Sequence, residues 1–176
     1  MEKTEQQEKL DYILRSSTTL FKKFGIRSIS MDDIARELGI SKKTLYQFVD
    51  NKSDLISKGF GKIQKDFKQS IEHVCTQGMN AIDELLEVSK LVNETIIKHN
   101  PSNIFDLRKY HPEIYEQHIN ADKDYSYKMI LANLQKGISE KIYRKDLDVE
   151  LVAGLYIQKV ESMHNEKIYG MENFTM

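Results

Sequence analysis

The chain has 176 residues, 30% of them charged and 40% hydrophobic, which bounds it to one globular domain, or one core with a small module, rather than a disordered chain. Two prolines and eight glycines exclude collagen-like and proline-rich classes, and a single cysteine, Cys75, excludes an internal disulfide and a four-cysteine zinc site. The net charge of −1 hides an asymmetry: residues 15–68 carry 12 Lys/Arg against 6 Asp/Glu, whereas residues 1–14 sum to −2 and residues 69–176 to −5.

In chain order, Leu10, Ile13, Leu14, Leu20, Phe21 and Phe24 recur at three- and four-residue spacing and predict an amphipathic helix that ends at Gly25, where a left-handed cap suits glycine. Ser30 precedes Asp32 and Asp33, acids that favour a helix start, and that short helix runs to about Leu38 and stops at Gly39. Ser41 caps the next, from Lys42 to about Phe48. Asn51 caps a longer helix whose apolar set, from Leu55 to Val74, holds a helical period for about six turns. Gly78 marks a break. Ile82 to Ile97 define another helix, closed by Asn100-Pro101, and a short segment follows from Ile104 to Tyr110. Pro112 favours a new first turn, and that helix runs through Asp122-Lys123-Asp124 to Ile138 with room for a bend. Asp146 or Asp148 starts a last helix through Leu151, Leu155 and Met163. No segment alternates as a strand does and no repeat is evident, so the fold class is all-α with roughly eight helices.

The basic third holds the informative pattern. Ala35, Gly39 and Leu45 stand at i, i+4 and i+10, the spacing a helix-turn-helix needs: a small residue where two axes cross, a glycine for the positive φ of the turn, and an apolar residue packing back from the second helix. Ile34, Leu38 and Ile40 complete that small core. The second helix opens Ser41-Lys42-Lys43-Thr44, offering cations, hydroxyls and backbone N–H groups of the kind that meet phosphates and base edges in a major groove. Tyr46 can bond a phosphate or touch a thymine methyl, Gln47 can pair with adenine, and Lys42 or Lys43 can reach guanine acceptors. Lys52 opens the following helix, where the macrodipole disfavours a cation unless an anion is near.

On these residues the run from Ile13 to Leu55 resembles the DNA-binding domain of the TetR family of bacterial transcription regulators. The matching features are Leu20-Phe21 with Gly25, Ser30, Asp33-Ile34-Ala35, Leu38-Gly39-Ile40-Ser41, Thr44-Leu45-Tyr46, Phe48, Lys52 and Leu55, about a quarter of the chain. Lys43 stands where the family very often has glycine and adds a cation to the recognition helix. The resemblance implies an N-terminal three-helix bundle with a helix-turn-helix over 1–51 and a helical effector-binding and dimerisation body over 52–176. It implies that Ser30, Ser41, Thr44, Tyr46 and Lys52 touch phosphates while Lys42, Lys43 and Gln47 face the groove. It further implies a homodimeric, cytoplasmic regulator of double-stranded DNA, a repressor by the family's commoner habit, released from a palindromic operator by a small-molecule effector.

In the family two final helices form the dimer interface. One candidate is legible before Met176, from about Asp148 to Tyr169, with Leu151, Gly154 and Leu155 as its seam. For the effector, Phe105, Tyr110, Tyr127, Met129 and Tyr156 are the candidate lining, against the plainer reading of tyrosines as rim or core packing. No cofactor is implied. The five histidines contain no i, i+4 pair and no cysteine cluster joins them, so no metal site is expected, and Cys75 reads as a structural thiol. No glycine-rich phosphate loop or nucleophile elbow suggests an enzyme. The longest apolar stretch, about Leu151 to Ile157, falls far short of the roughly 20 residues that cross a bilayer, and the opening Met1-Glu2-Lys3-Thr4-Glu5 has no apolar segment behind it, so neither a membrane partner nor a secretory signal is expected. The alternative is a helical protein-interaction module without specific DNA binding.

Overall fold

The computed structural model describes residues 2–97 and 101–164. Among them lie eight helices and no strand: α1 (Glu2–Phe24), α2 (Met31–Glu37), α3 (Lys42–Leu45), α4 (Lys52–Cys75), α5 (Ala81–Ile97), α6 (Pro101–Tyr110), α7 (Pro112–Ser139) and α8 (Val149–His164). The stretch from 165 onward, including the expected helix end at Tyr169, lies outside the described residues.

Local chemistry sets most of these boundaries. Ser30 and Asp33 form a capping box: the Asp33 N–H donates to Ser30 Oγ at 3.2 Å and the Ser30 N–H donates to Asp33 Oδ2 at 3.0 Å. Ser41 Oγ accepts from the Thr44 N–H at 3.0 Å, and Asn51 Oδ1 from the Asp54 N–H at 2.9 Å. Asp148 Oδ1 accepts from the Leu151 N–H at 3.0 Å, so Asp148 rather than Asp146 opens α8. Pro112 sits in the first turn of α7, which then runs on through Asp122–Asp124 to Ser139 as one helix.

α1 and α4 cross closely. A Cβ at Gly59 would come within 2.9 Å of Thr18 Oγ1, whose hydrogen is already given to the Leu14 carbonyl. Beside that crossing, Arg15 pairs with Asp66 at 2.8 Å, and Lys62 bridges Asp11 at 2.9 Å and Asp66 at 3.1 Å. α4 then runs about 36 Å and lies along α7. There Gln64 Nε2 donates to the His118 carbonyl and to Asp122 Oδ2, and Tyr125 Oη donates to the Lys68 carbonyl.

The main apolar core gathers Ile13, Phe21, Ile34, Leu45, Leu55 and Ile56 from the first four helices, and also Leu107 of α6 and Ile114 of α7. The N-terminal bundle thus shares its core with the body. At the opposite end, α5 and α7 are joined by polar groups. Asn133 Nδ2 donates to the Ala81 carbonyl and to Glu84 Oε1, both at 2.9 Å, and Lys136 Nζ donates to Glu84 Oε2 at 2.6 Å and to the Met79 carbonyl at 2.7 Å. Tyr143 folds back so tightly that a Cβ at Gly137 would sit 2.1 Å from its ring. No helix among the described residues is long and apolar enough to cross a membrane.

Candidate nucleic-acid interface

The turn between α2 and α3 is fixed from inside. Gly39 has φ +64, the left-handed conformation that side chains resist. Its N–H donates to the Arg36 carbonyl and the Ile40 N–H to the Ala35 carbonyl, closing the turn. Ile34 and Leu45 are fully buried, with Ala35 and Leu38 beside them. α3 is one turn shorter than its sequence suggests. After Leu45 the Gln47 and Phe48 N–H groups bond three residues back, to Thr44 and Leu45, so the helix tightens into a turn. The Lys58 ammonium anchors that turn from α4, donating to the Phe48 carbonyl at 3.1 Å and to Asp54 at 2.7 Å.

With Leu45 and Val49 facing inward, Lys42, Lys43, Tyr46 and Gln47 are left exposed together. Lys42 reaches back to Asp32 of α2 at 2.5 Å, and that carboxylate raises the ammonium above its ordinary value. The Thr44 hydroxyl, half-buried, lies 2.8 Å from Ser41 Oγ. Ser30, by its hydroxyl and then its backbone N–H, holds the Asp33 carboxyl below the usual range, and Arg36 pairs with the same carboxylate. Lys52 is half-buried. Burial pushes its ammonium down, and the nearby Asp106 and Asp33 carboxylates oppose this. A cation at this helix start therefore already has anions beside it. The eight sequence-predicted interface residues stand on α2's cap, α3 with its following turn, and the first residue of α4, on neighbouring elements of one bundle.

Sequence reasoning missed two features of this site. One is the Asp32–Lys42 pair between α2 and α3. The other is a brace from α6: Asp106 Oδ2 accepts from the Arg27 N–H at 3.3 Å, and Arg27 donates to Tyr110 Oη at 3.2 Å. His111, at the start of α7, bonds through Nδ1 to Ser53 Oγ of α4 at 3.2 Å. Partners 79 and 83 residues apart leave no signal in local spacing.

The five residues expected to line an effector pocket are not gathered. Phe105 is 61% exposed, Tyr110 42% and Tyr156 43%; Tyr127 and Met129 are half-buried on α7. Two of these rings serve cations instead: Lys109 lies over Phe105 and Tyr110, and Arg27 over Tyr110. Two adjoining open clefts, of about 600 and 370 Å³, run along α1, α4 and α5, and none of the five lines either one. On α8, Leu151 and Leu155 are more than half exposed and a Cβ at Gly154 would meet nothing within 4 Å, while Ala153 and Ile157 are buried. Among the described residues no group of three or more His, Cys, Asp or Glu is placed to hold a metal ion.

Residues 13–58 match the family model described as bacterial regulatory proteins, tetR family. The HTH-type transcriptional regulator YvaF of Bacillus subtilis (strain 168) is 23% identical over 164 residues, which cover 93% of this chain and 85% of that protein. Among solved structures, a transcriptional regulator from Cytophaga hutchinsonii superposes with a TM-score of 0.80 at 19% identity, covering 91% of this chain and 82% of the other. The transcriptional regulator FadR from Bacillus subtilis, in complex with stearoyl-CoA, superposes with a TM-score of 0.66 at 18% identity, covering 91% and 88%.

Proposed function

We propose that the chain is a helix-turn-helix DNA-binding transcription regulator of the TetR family, which binds a palindromic operator as a homodimer and is released by a small molecule. The observation that carries the reading is the outward set Lys42, Lys43, Tyr46 and Gln47 on a turn held rigid by buried Ile34, Ala35, Leu38 and Leu45. Lys42, Lys43 and Gln47 enter the major groove; Ser30, Ser41, Thr44, Tyr46 and Lys52 take the phosphates on either side. On docking, base acceptors in the groove replace Asp32 at Lys42, and a phosphate joins Asp106 and Asp33 around Lys52.

One helix-turn-helix reads too few base pairs for genomic specificity, and two copies on a twofold axis read a palindrome with half-sites about 34 Å apart. The α8 face with Leu151, Gly154, Leu155 and Tyr156 supports that dimer: it is apolar, exposed and backed by a buried opposite face. Residues 1–51 read DNA, and 52–176 dimerise and receive the effector. A ligand that prefers a different spacing of the two reading heads lowers operator affinity by its own differential affinity for the two states. The solved FadR relative holds an acyl-CoA, which supports a ligand-responsive body here. The regulator acts as a cytoplasmic repressor.

Selection of bound sequences from a random duplex pool, with survivors re-titrated at two salt concentrations, tests the reading. A palindrome with steep salt dependence is the expected result, because phosphate-bound lysines release counterions. Recovery of no motif and no salt-sensitive binding would replace it with the protein-interaction module.

A further inference from the structure

One surface beside the reading head has no part in the function above. α6 turns an exposed basic and aromatic face outward: Phe105, Arg108, Lys109 and Tyr110, joined by Arg27 from the α1–α2 connection. Among the described residues none of these three cations is ion-paired with a carboxylate. This contrasts with Lys42, Lys58, Lys62 and Arg15 of the basic third, each of which holds at least one. Rings steer Arg27 and Lys109 instead. The Lys109 ammonium lies 5.5 Å from the Phe105 centroid and 5.4 Å from that of Tyr110, and the Arg27 guanidinium lies 5.4 Å from Tyr110. A cation held over rings keeps its full charge and loses little side-chain freedom when an anion arrives.

The position of this patch identifies the anion. Arg27 precedes the α2 cap Ser30 by three residues. Asp106, on the same helix as the patch, accepts the Arg27 N–H and lies in the field of Lys52. His111, the residue after α6, is bonded to Ser53, the neighbour of Lys52. The patch is therefore continuous with the edge assigned to phosphates. We propose that Arg27, Arg108 and Lys109 extend the DNA interface of this chain, binding the backbone of duplex DNA flanking the half-site that α3 reads. The inference rests on the DNA-reader reading. Its consequence is a longer footprint, with affinity gained from flanking DNA of any sequence, since backbone contacts carry no base information.

The test uses the full chain and the motif recovered by selection, in two duplexes: one ending at the outer base pairs of the motif and one extended by about ten base pairs, roughly one helical turn, on each side. Fluorescence anisotropy at two salt concentrations compares the native chain with the Arg108→Ala/Lys109→Ala variant. Both residues are exposed and neither is paired with a carboxylate, so their removal leaves the core intact. Arg27 stays in place because it also braces α6. The native chain is expected to bind the extended duplex about tenfold more tightly than the short one, with a steeper salt slope by about 0.9 for each added phosphate. The variant is expected to match the native chain on the short duplex and to lose the gain from length. A variant that keeps the gain, or that weakens equally on both duplexes, overturns the proposal. So does a native chain indifferent to length; if that chain instead binds anionic phosphatidylglycerol vesicles through Arg108 and Lys109, the patch belongs to a membrane surface. A native chain that binds neither duplex removes the DNA-reader reading itself.

Discussion

The two ends of this molecule are held together by different physics. Around the helix-turn-helix the fully buried side chains are Ile13, Ile26, Ile34, Leu45, Val49, Leu55 and Ile56, with Ser17 the one polar group among them. At the far end α5 and α7 bury the apolar Ala81, Val88 and Ile130 and, beside them, the polar Glu84 and Asn133, which are tied to Lys136, Tyr143 and two backbone carbonyls. Apolar packing is summed over many small contacts and is insensitive to pH and salt. A polar clasp is directional, and losing one member strands the others. The reading head thus keeps its shape under varied conditions, while the body, where the effector response is proposed, is held in part by polar groups that one substitution can unsettle.

The largest expected effect lies at the apolar end. Leu45→Ala should cost about 2–5 kcal/mol by loss of buried area and the cavity left behind, read as a fall in urea midpoint. Because Leu107 and Ile114 share that core, the variant should still unfold in one transition. Two separate transitions would show the ends to be independent and dissolve the continuity of the core. Next comes the polar end. Glu84→Ala leaves Lys136 with the Met79 carbonyl and Asn133 with the Ala81 carbonyl, and should cost about 2 kcal/mol, charged hydrogen bonds being the stronger ones. A cost below about 0.5 kcal/mol, the scale of an ordinary surface change, would mean that the clasp is a solvated contact. Third, Ser30→Ala removes the α2 cap and should cost about 1 kcal/mol. DNA affinity should fall as well, through loss of the proposed Ser30 phosphate contact, and fraying of α2, which amide exchange at Asp33 and Ile34 would reveal, would add to that fall.

The capping pattern made much of the fold legible. Ser30 with Asp33, Ser41, Asn51 and Asp148 each mark a helix start because the cap is a contact within three residues, and Pro112 marks one because its fixed φ suits a first turn. The helix-turn-helix was readable for the same reason, its small residue, glycine and leucine being fixed by local geometry. The placement of the aromatic residues was not legible, because residue type does not say which way a ring points. Phe105 and Tyr110 lie outward under Lys109 and Arg27, and the Arg27 partner is 83 residues away. The boundary drawn at residue 51 meets the same limit. Leu55 and Ile56 lie past it yet pack with Ile13 and Leu45, and only the fold brings Leu107 to them.

The smallest effect discriminates between the ends through pH. Where α7 lies along α4, His118 Nδ1 meets Gln64 Oε1 at 2.6 Å, and His118 Nε2 is buried without a hydrogen-bond partner. Burial lowers the imidazole from its ordinary 6.5 and Lys68 adds to this, while Asp122 and the Ser57 backbone oppose it. A base that is harder to protonate in the folded state takes up its proton first in the unfolded chain. Stability is therefore complete above the unfolded value of 6.5 and is lost as pH falls from there through the folded value. Asp11, Asp33 and Asp54 are themselves held below the ordinary carboxyl value of 3.8, so their contributions are lost only in more acidic solution and do not mask this window. Solvent reaches part of the His118 ring and screens the effect. Urea midpoints at about pH 7.5 and about pH 5.5, on either side of an ordinary histidine, should fall for the native chain and fall less for His118→Gln. An equal fall in both would assign the acid sensitivity elsewhere, and the α4–α7 seam would then belong with the pH-indifferent packing of the reading head.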